Sequence, residues 1–266
     1  MDDSKVAIFV CSPNSYSDVL KIFIECKNKN WPDCPYDFIL ATNNQFFHSI
    51  KVFNNNKAND GWTDRALPVL ESLDYEYIIL LADDAFISKS IDTQQIRSIL
   101  ETMSQEQILF CRLKHYAQGK KLQKNPLLSF LNKRTPYGLN LHKGIFKREY
   151  LCSLLGDGSK SCWQLEIDWN RNASKQPNSY YSDHVACVKE VIPTIHGLEK
   201  GAYFPSAINK LKKMGINATG TRKKMSVFKE CLYDIKTGLG NFLPPEIRHT
   251  LKLIMIKFGV NFTTDN

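Results

Sequence analysis

The sequence predicts an α/β protein: a mostly parallel sheet with helices on both faces, followed by a helical C-terminal extension. Three observations predict it. Apolar runs rich in β-branched residues alternate with helically spaced stretches through the first half, the pattern of βαβ units. The runs KVAIFVC (5–11) and YEYIILLA (75–82) are nearly continuous rather than alternating, as in strands buried on both faces. Positive charge is concentrated late: between Ala207 and Lys257, eleven Lys and Arg stand against three acids, a surplus equal to the whole chain's net +8.

Taken in order, Lys5 to Cys11 predicts the first strand, broken at Ser12-Pro13-Asn14. Tyr16 to Lys27 predicts a helix, from apolar residues at Val19, Leu20, Phe23 and Ile24. Tyr36 to Ala41 predicts a second strand and Ile50 to Phe53 a short third. A helix over Trp62 to Leu73 leads into the most apolar strand, Tyr75 to Ala82. Ile91 to Met103 reads as helix and Gln107 to Leu113 as strand. Ala117 to Tyr137, polar, basic and turn-rich, is expected to be a mobile loop. Leu139 to Phe146 reads as a strand, Arg148 to Leu155 as a short helix, Ser161 to Trp169 as the start of another, and Val191 to Ile195 as a strand. From Phe204 the pattern is helical over Ala207 to Met214, Lys224 to Lys236 and Pro245 to Phe258, with Pro244-Pro245 starting the last.

Composition is that of a globular protein, with 43% hydrophobic and 23% charged residues among 266. No leader is visible at the N-terminus, and the longest apolar runs fall short of the roughly 20 residues of a spanning helix. A cytoplasmic protein, soluble or peripheral to the membrane, is therefore expected. The eight cysteines form no C-x-x-C pair and read as reduced thiols, and the three N-glycosylation sequons read as chance matches. No nucleic-acid recognition motif or aromatic-interleaved basic groove is present.

Chemistry concentrates after the strand 75–82, at Asp83-Asp84. Ligands of open parallel sheets bind beyond the carboxyl ends of strands, and two adjacent carboxylates there call for a cation that could bridge a diphosphate. The competing reading is a turn or helix cap. Gly61-Trp62-Thr63-Asp64-Arg65 opens the preceding helix, where an N-terminus and a guanidinium suit a phosphate or a uracil-type base, or simply a capped helix. Ser12 and Asn43, at strand ends, are candidates for contact with base or ribose. Glu166 and Asp168 are the available carboxylates for a general base; two apart, they diverge on a helix and share a face on a strand. Trp163 is a candidate to stack on an acceptor sugar, and Asn140 and His142 are further acceptor-side candidates.

The stretches 61–88, 134–155, 162–166 and 195–216 together resemble, in order, a family of bacterial GT-A glycosyltransferases of capsule and O-antigen biosynthesis. The resemblance implies a GT-A, Rossmann-like catalytic domain over 1–205 and a basic helical extension over 206–266. It implies that Asp83-Asp84 is an x-D-D metal motif for Mn2+ or Mg2+; because position 82 is Ala, no strict D-x-D form is present. Asp84 is then the metal ligand and Asp83 reaches ribose or metal. The resemblance places His196 as the late metal-ligating histidine, the competing reading being a hydrogen-bonded structural residue; from their charge alone, Lys200 and Arg222 are candidate diphosphate partners or solvated surface charges. Glu166 matches the final acid of the family's W-x-x-E segment and becomes the base of an inverting reaction; a retaining one needs no such base. The implied partners are a nucleotide-sugar donor and a lipid-linked glycan acceptor; the tail's own mix of clustered Lys/Arg and apolar residues suits contact with the anionic inner membrane or, equally, helices that pack on the catalytic domain and expose a basic face. The alternative is a non-catalytic nucleotide- or glycan-binding protein on the same fold.

Overall fold

The computed structural model describes residues 2–43, 50–54, 61–114, 119–135, 137–156, 160–173, 175–218 and 222–239. The helix expected over Pro245 to Phe258 lies outside them. The chain divides into two compact units, Met1–Ile195 and His196–Asn266.

In the first unit the elements are β1 (Val6–Cys11), α1 (Ser17–Asn30), β2 (Asp37–Thr42), β3 (Lys51–Asn54), α2 (Trp62–Ser72), β4 (Tyr77–Leu81), β5 (Ala85–Ile87) and α3 (Thr93–Gln105). There follow β6 (Phe110–Arg112), β7 (Lys120–Lys121), β8 (Leu128–Asn132), β9 (Lys143–Lys147), α4 (Arg148–Leu155), α5 (Cys162–Ala173), β10 (Tyr180–Cys187) and β11 (Thr194–His196). The cut between the units falls inside β11, before its last residue. Among the described residues nine strands form one sheet in the order β3-β2-β1-β4-β9-β6-β10-β8-β7. The pairings make seven of these strands run one way; β9 and β8 run against them. The expected α/β class with a mainly parallel sheet is the observed one.

Alternation of side chains along each strand separates two cores. Ala7, Phe9, Cys11, Ile39, Ala41, Ile78 and Leu80 face one way, onto Ala66, Val69 and Leu70 of α2, Leu151 and Leu155 of α4 and Leu165 of α5. On the other face Phe38 meets Phe23 of α1, with ring centroids 6.0 Å apart, and Tyr77 is hydrogen-bonded by Ser104 of α3. Within the first core Phe110 and Phe146 stack at 4.6 Å, and this stack excludes any side chain at Gly144, where a Cβ would lie 2.8 Å from Phe146 and 2.9 Å from Phe110.

Two elements correct the expectations. The segment expected to be a mobile loop contains β8, whose Leu128, Ser129 and Leu131 are buried against β10. Burial by a neighbouring strand outweighs the polar, turn-rich flanks that suggested a loop. The strand expected over Leu139 to Phe146 begins only at Lys143. It pairs antiparallel with β4, register Leu81 to Lys143, so its lead-in residues lie beside the end of β4.

In the second unit, β12 (Leu198–Glu199) and β13 (Ala202–Tyr203) form a hairpin, followed by α6 (Pro205–Lys213) and α7 (Val227–Leu239). Lys200 and Gly201 fill the two-residue turn with φ of 49° and 75°, the positive-φ pair that such a turn demands. The α6 N-terminus is capped by Glu230, whose carboxylate accepts from the Ser206 amide. Among the described residues no helix is long and apolar enough to cross a membrane.

Candidate functional site

The carboxyl ends of β1, β2 and β4 meet the beginning of the antiparallel β9 at one edge of the sheet. Parallel strands put their last residues there, and the reversal of β9 adds the residues that precede it. Ser12, just past β1, is fully buried and donates from Oγ to Asp83 Oδ2 at 2.6 Å. Asn43, just past β2, accepts from the Arg65 guanidinium at 3.4 Å, and Arg65 is itself only 7% exposed. Past β4 the chain turns at once: the Ala85 amide donates to the Ala82 carbonyl, and β5 begins. This turn sends the two aspartates to different neighbours. Asp83 goes to Ser12, and Asp84 Oδ1 lies 3.5 Å from His142 Nε2.

His142, read from the sequence as an acceptor-side residue, is thus brought to the carboxylate read as a metal ligand. Its carbonyl also accepts from the Ala82 amide at 2.8 Å, which fixes its backbone against the end of β4. His196 is the last residue of β11 and the first of the second unit. Within the first unit, the Asp84 carboxylate and the His142 imidazole facing each other have the donor chemistry of part of a divalent transition-metal site. The set fits Mn2+ better than Mg2+, which takes oxygen ligands.

The N-terminus of α2 is largely committed within the protein. The Gly61 amide donates to Asp64 Oδ2 at 2.9 Å, and the Thr63 amide to the Lys160 carbonyl at 3.2 Å. Trp62 packs half-buried on the core, and its carbonyl accepts from the Cys11 thiol at 3.7 Å. Burial pushes the Cys11 and Cys162 thiols up to about 12, with the Arg65 guanidinium opposing the shift at Cys11. Both stay protonated, so neither supplies a thiolate ligand.

Glu166 and Asp168 sit on α5, and the helix separates them. Glu166 Oε1 accepts from the Leu141 amide at 2.7 Å. Burial raises its pKa above the ordinary glutamate value, opposed by that hydrogen bond and by Arg112 and Lys114. Asp168 is paired with Lys160 at 3.1 Å and Arg171 at 3.6 Å near solvent. Trp163, 62% exposed, projects outward from the first turn of the helix. Asn140 is turned inward, its Oδ1 accepting from the Lys143 amide at 2.9 Å. In the second unit Lys200 occupies the hairpin turn, and Arg222 donates to the Gly201 carbonyl at 3.4 Å.

Two residues escaped the sequence reading. Arg112, at the end of β6, is 9% exposed and acts electrostatically on Glu166. Lys143, at the start of β9, is 4% exposed. Both are charges embedded in apolar runs, and that contrast was the available signal.

No protein family and no curated protein matches the chain. Among solved structures, the S. aureus TarS fragment 1-349 in complex with UDP-GlcNAc is 9% identical with a TM-score of 0.46, over 91% of this chain and 77% of that one. The mannosyltransferase PcManGT from Pyrobaculum calidifontis, in complex with GDP-Man and Mn2+, is 11% identical with a TM-score of 0.43, over 70% of this chain and 57% of that one. The bifunctional IspDF from Campylobacter jejuni is 8% identical with a TM-score of 0.38, over 62% of this chain and 47% of that one. This chain therefore spans about half the length of the last two. Similarity at this level leaves the chemistry to be read from the chain's own residues.

Proposed function

We propose that the chain is a metal-dependent glycosyltransferase of surface-polysaccharide assembly, capsule or O-antigen. It would move a sugar from a nucleoside-diphosphate donor to a lipid-linked glycan acceptor. The observation that carries the reading is the divergence of Asp83 and Asp84 at the carboxyl edge: Asp83 is tied to buried Ser12, and Asp84 faces His142.

Asp84 and His142 would hold the cation, and His196 is assigned as the late histidine ligand that the sequence resemblance implies. When bound, the cation would offset the charge gathering on the departing diphosphate. Asp83, oriented by Ser12, is assigned to the donor ribose. Arg65 and Asn43, bonded to each other beside the first strands, are assigned to the base, with Gly61 and Trp62 lining that side. Glu166 is assigned as the base that takes the acceptor hydroxyl proton in an inverting transfer. A carboxylate whose burial raises its pKa is a stronger base than one in water. Asp168 is better placed to hold α5 through Lys160 than to exchange protons. Trp163 offers a ring face to an acceptor sugar, with Asn140 shaping the β9 lead-in; Lys200 and Arg222 are assigned to the diphosphate. The protein is placed in the cytoplasm, with its basic extension on the anionic inner leaflet; exposed Lys212, Lys213, Lys223 and Lys224 support that contact.

Release of nucleoside diphosphate from a panel of nucleotide sugars, with and without Mn2+, tests the reading. Metal-dependent release that disappears in Asp84→Ala supports it. Nucleotide binding indifferent to both metal and that substitution would leave a non-catalytic binding protein.

A further inference from the structure

Lys143 lies almost entirely out of water, and its ammonium donates to Glu190 Oε1 at 2.7 Å, the Ile192 carbonyl at 2.7 Å and Thr194 Oγ1 at 3.1 Å. A lysine ammonium carries three donors, so each has an acceptor. Burying a cation is costly, and an apolar side chain of similar volume generally serves packing as well or better. A charge kept at this position therefore points to what it holds in place.

What it holds is the segment from Glu190 to Thr194. Lys143 directly follows His142, and Thr194 opens β11, the strand that ends on His196. β11 pairs with β5, which begins one residue after Asp84, and the Ser88 amide donates to the Pro193 carbonyl at 2.9 Å. The Ala82 amide closes the frame on the His142 carbonyl. Asp84 and His142 thus come from two chain segments, and the Lys143 ammonium ties the His142 segment to the strand that pairs just after Asp84.

We propose that Lys143 is a positioning residue for the cation site, tying its own segment to β11 through Glu190, Ile192 and Thr194 and so setting His142 against Asp84, which immediately precedes the β5 strand that β11 pairs with. This rests on the cation-site reading above. Outer groups that orient metal ligands carry a recognisable signature: their loss weakens metal affinity about 10–100-fold with every ligand still present.

The experiment is a titration of the full-length, nucleotide-free chain with Mn2+, read by electron paramagnetic resonance of the free ion, with melting temperature recorded separately. Lys143→Met, which keeps most of the stem and removes the donors, is expected to weaken Mn2+ binding about 10–100-fold. Lys143→Arg, which keeps charge and donors, is expected to recover most of that loss, a rescue that packing alone would not give. Thr194→Val, which removes one acceptor, is expected to give a smaller loss in the same direction. Folded Lys143→Met protein binding Mn2+ within about twofold of wild type overturns the inference alone. Should Lys143→Met not fold, unchanged affinity in Thr194→Val overturns it. Wild-type protein that binds no Mn2+, or Asp84→Ala that binds it equally well, overturns the cation site and this inference with it.

Discussion

The two edges of the parallel strands handle charge in opposite ways. At the amino edge Asp37 is bonded by Lys51 and Tyr75, and Asp3 pairs with Arg97 at 2.6 Å, all of them at least partly in water. At the carboxyl edge Arg65 and Arg112 are buried, Asp83 is bonded to buried Ser12, burial raises the pKa of Glu166, and Asp84 meets the His142 imidazole. Exposed pairs cancel each other and are screened by water, so they contribute little to stability. Sequestered charges are expensive, and an edge that collects them is a candidate for binding and chemistry. The same strands build both edges; what differs is which charges solvent can reach.

Substitutions at the carboxyl edge are expected to sharpen that contrast most. Asp84→Ala is expected to lower metal-dependent donor turnover by roughly 10²–10³-fold or more, measured by nucleoside diphosphate release. A residual rate above a tenth of wild type would dissolve the distinction between the edges. Glu166→Gln is expected to lower kcat on an acceptor by about 10²–10⁴-fold with little change in donor binding.

Glu166 also predicts a pH effect of defined sign. Burial raises its pKa, so between the ordinary glutamate value and the folded value the native state binds more protons than the unfolded chain. Stability contributed at Glu166 therefore falls as pH rises through that window, and the deprotonated form gains over the same window. Turnover should rise with pH to a midpoint above the ordinary glutamate range. Glu166→Gln should be at least as stable as wild type at neutral pH, because it removes the charge and keeps an acceptor for the Leu141 amide. A marked loss of stability in that variant would show that the carboxylate serves the fold.

Asp168→Asn, three residues from Arg171 and near solvent, is expected to change turnover by no more than about threefold, a difference of well under 1 kcal/mol in the barrier. The smallest effect belongs to the amino edge. Asp37→Asn is expected to leave turnover unchanged and the melting temperature nearly so, by calorimetry. A large loss there would erase the difference on which the comparison depends.

The parallel half of the sheet was legible because its strands are apolar on both faces. Val6–Cys11 and Tyr77–Leu81 are buried at every position, and such runs announce themselves. β10 did not: its burial alternates through Tyr180–Asp183 before becoming complete, and Ser182, Asp183 and His184 interrupt the apolar pattern. Its core histidine is satisfied by Asp183 at 2.7 Å and Tyr150 at 2.6 Å, partners that no local pattern reveals. β8 was hidden by its flanks and is a strand because β10 and β7 pair with it.

At the site, Asp83-Asp84 could be located from one strand and the aspartates that follow it, since the end of a buried strand in an open α/β sheet is a predictable place. Which neighbour each aspartate meets could not, because it depends on Ser12, 71 residues from Asp83, and on His142, 58 residues past Asp84 by numbering. The direction of β9 decided the position of His142: running antiparallel to β4, the strand puts its lead-in residue beside the carboxylates. Helix geometry separated Glu166 from Asp168, and burial singled out Lys143 and Arg112. Periodicity and composition are local quantities, so the sequence by itself determined the fold class, the elements of the parallel half and the strand end that carries the acids. Pair direction, burial and the meeting of distant side chains are properties of the folded whole, and only the tertiary structure decided them.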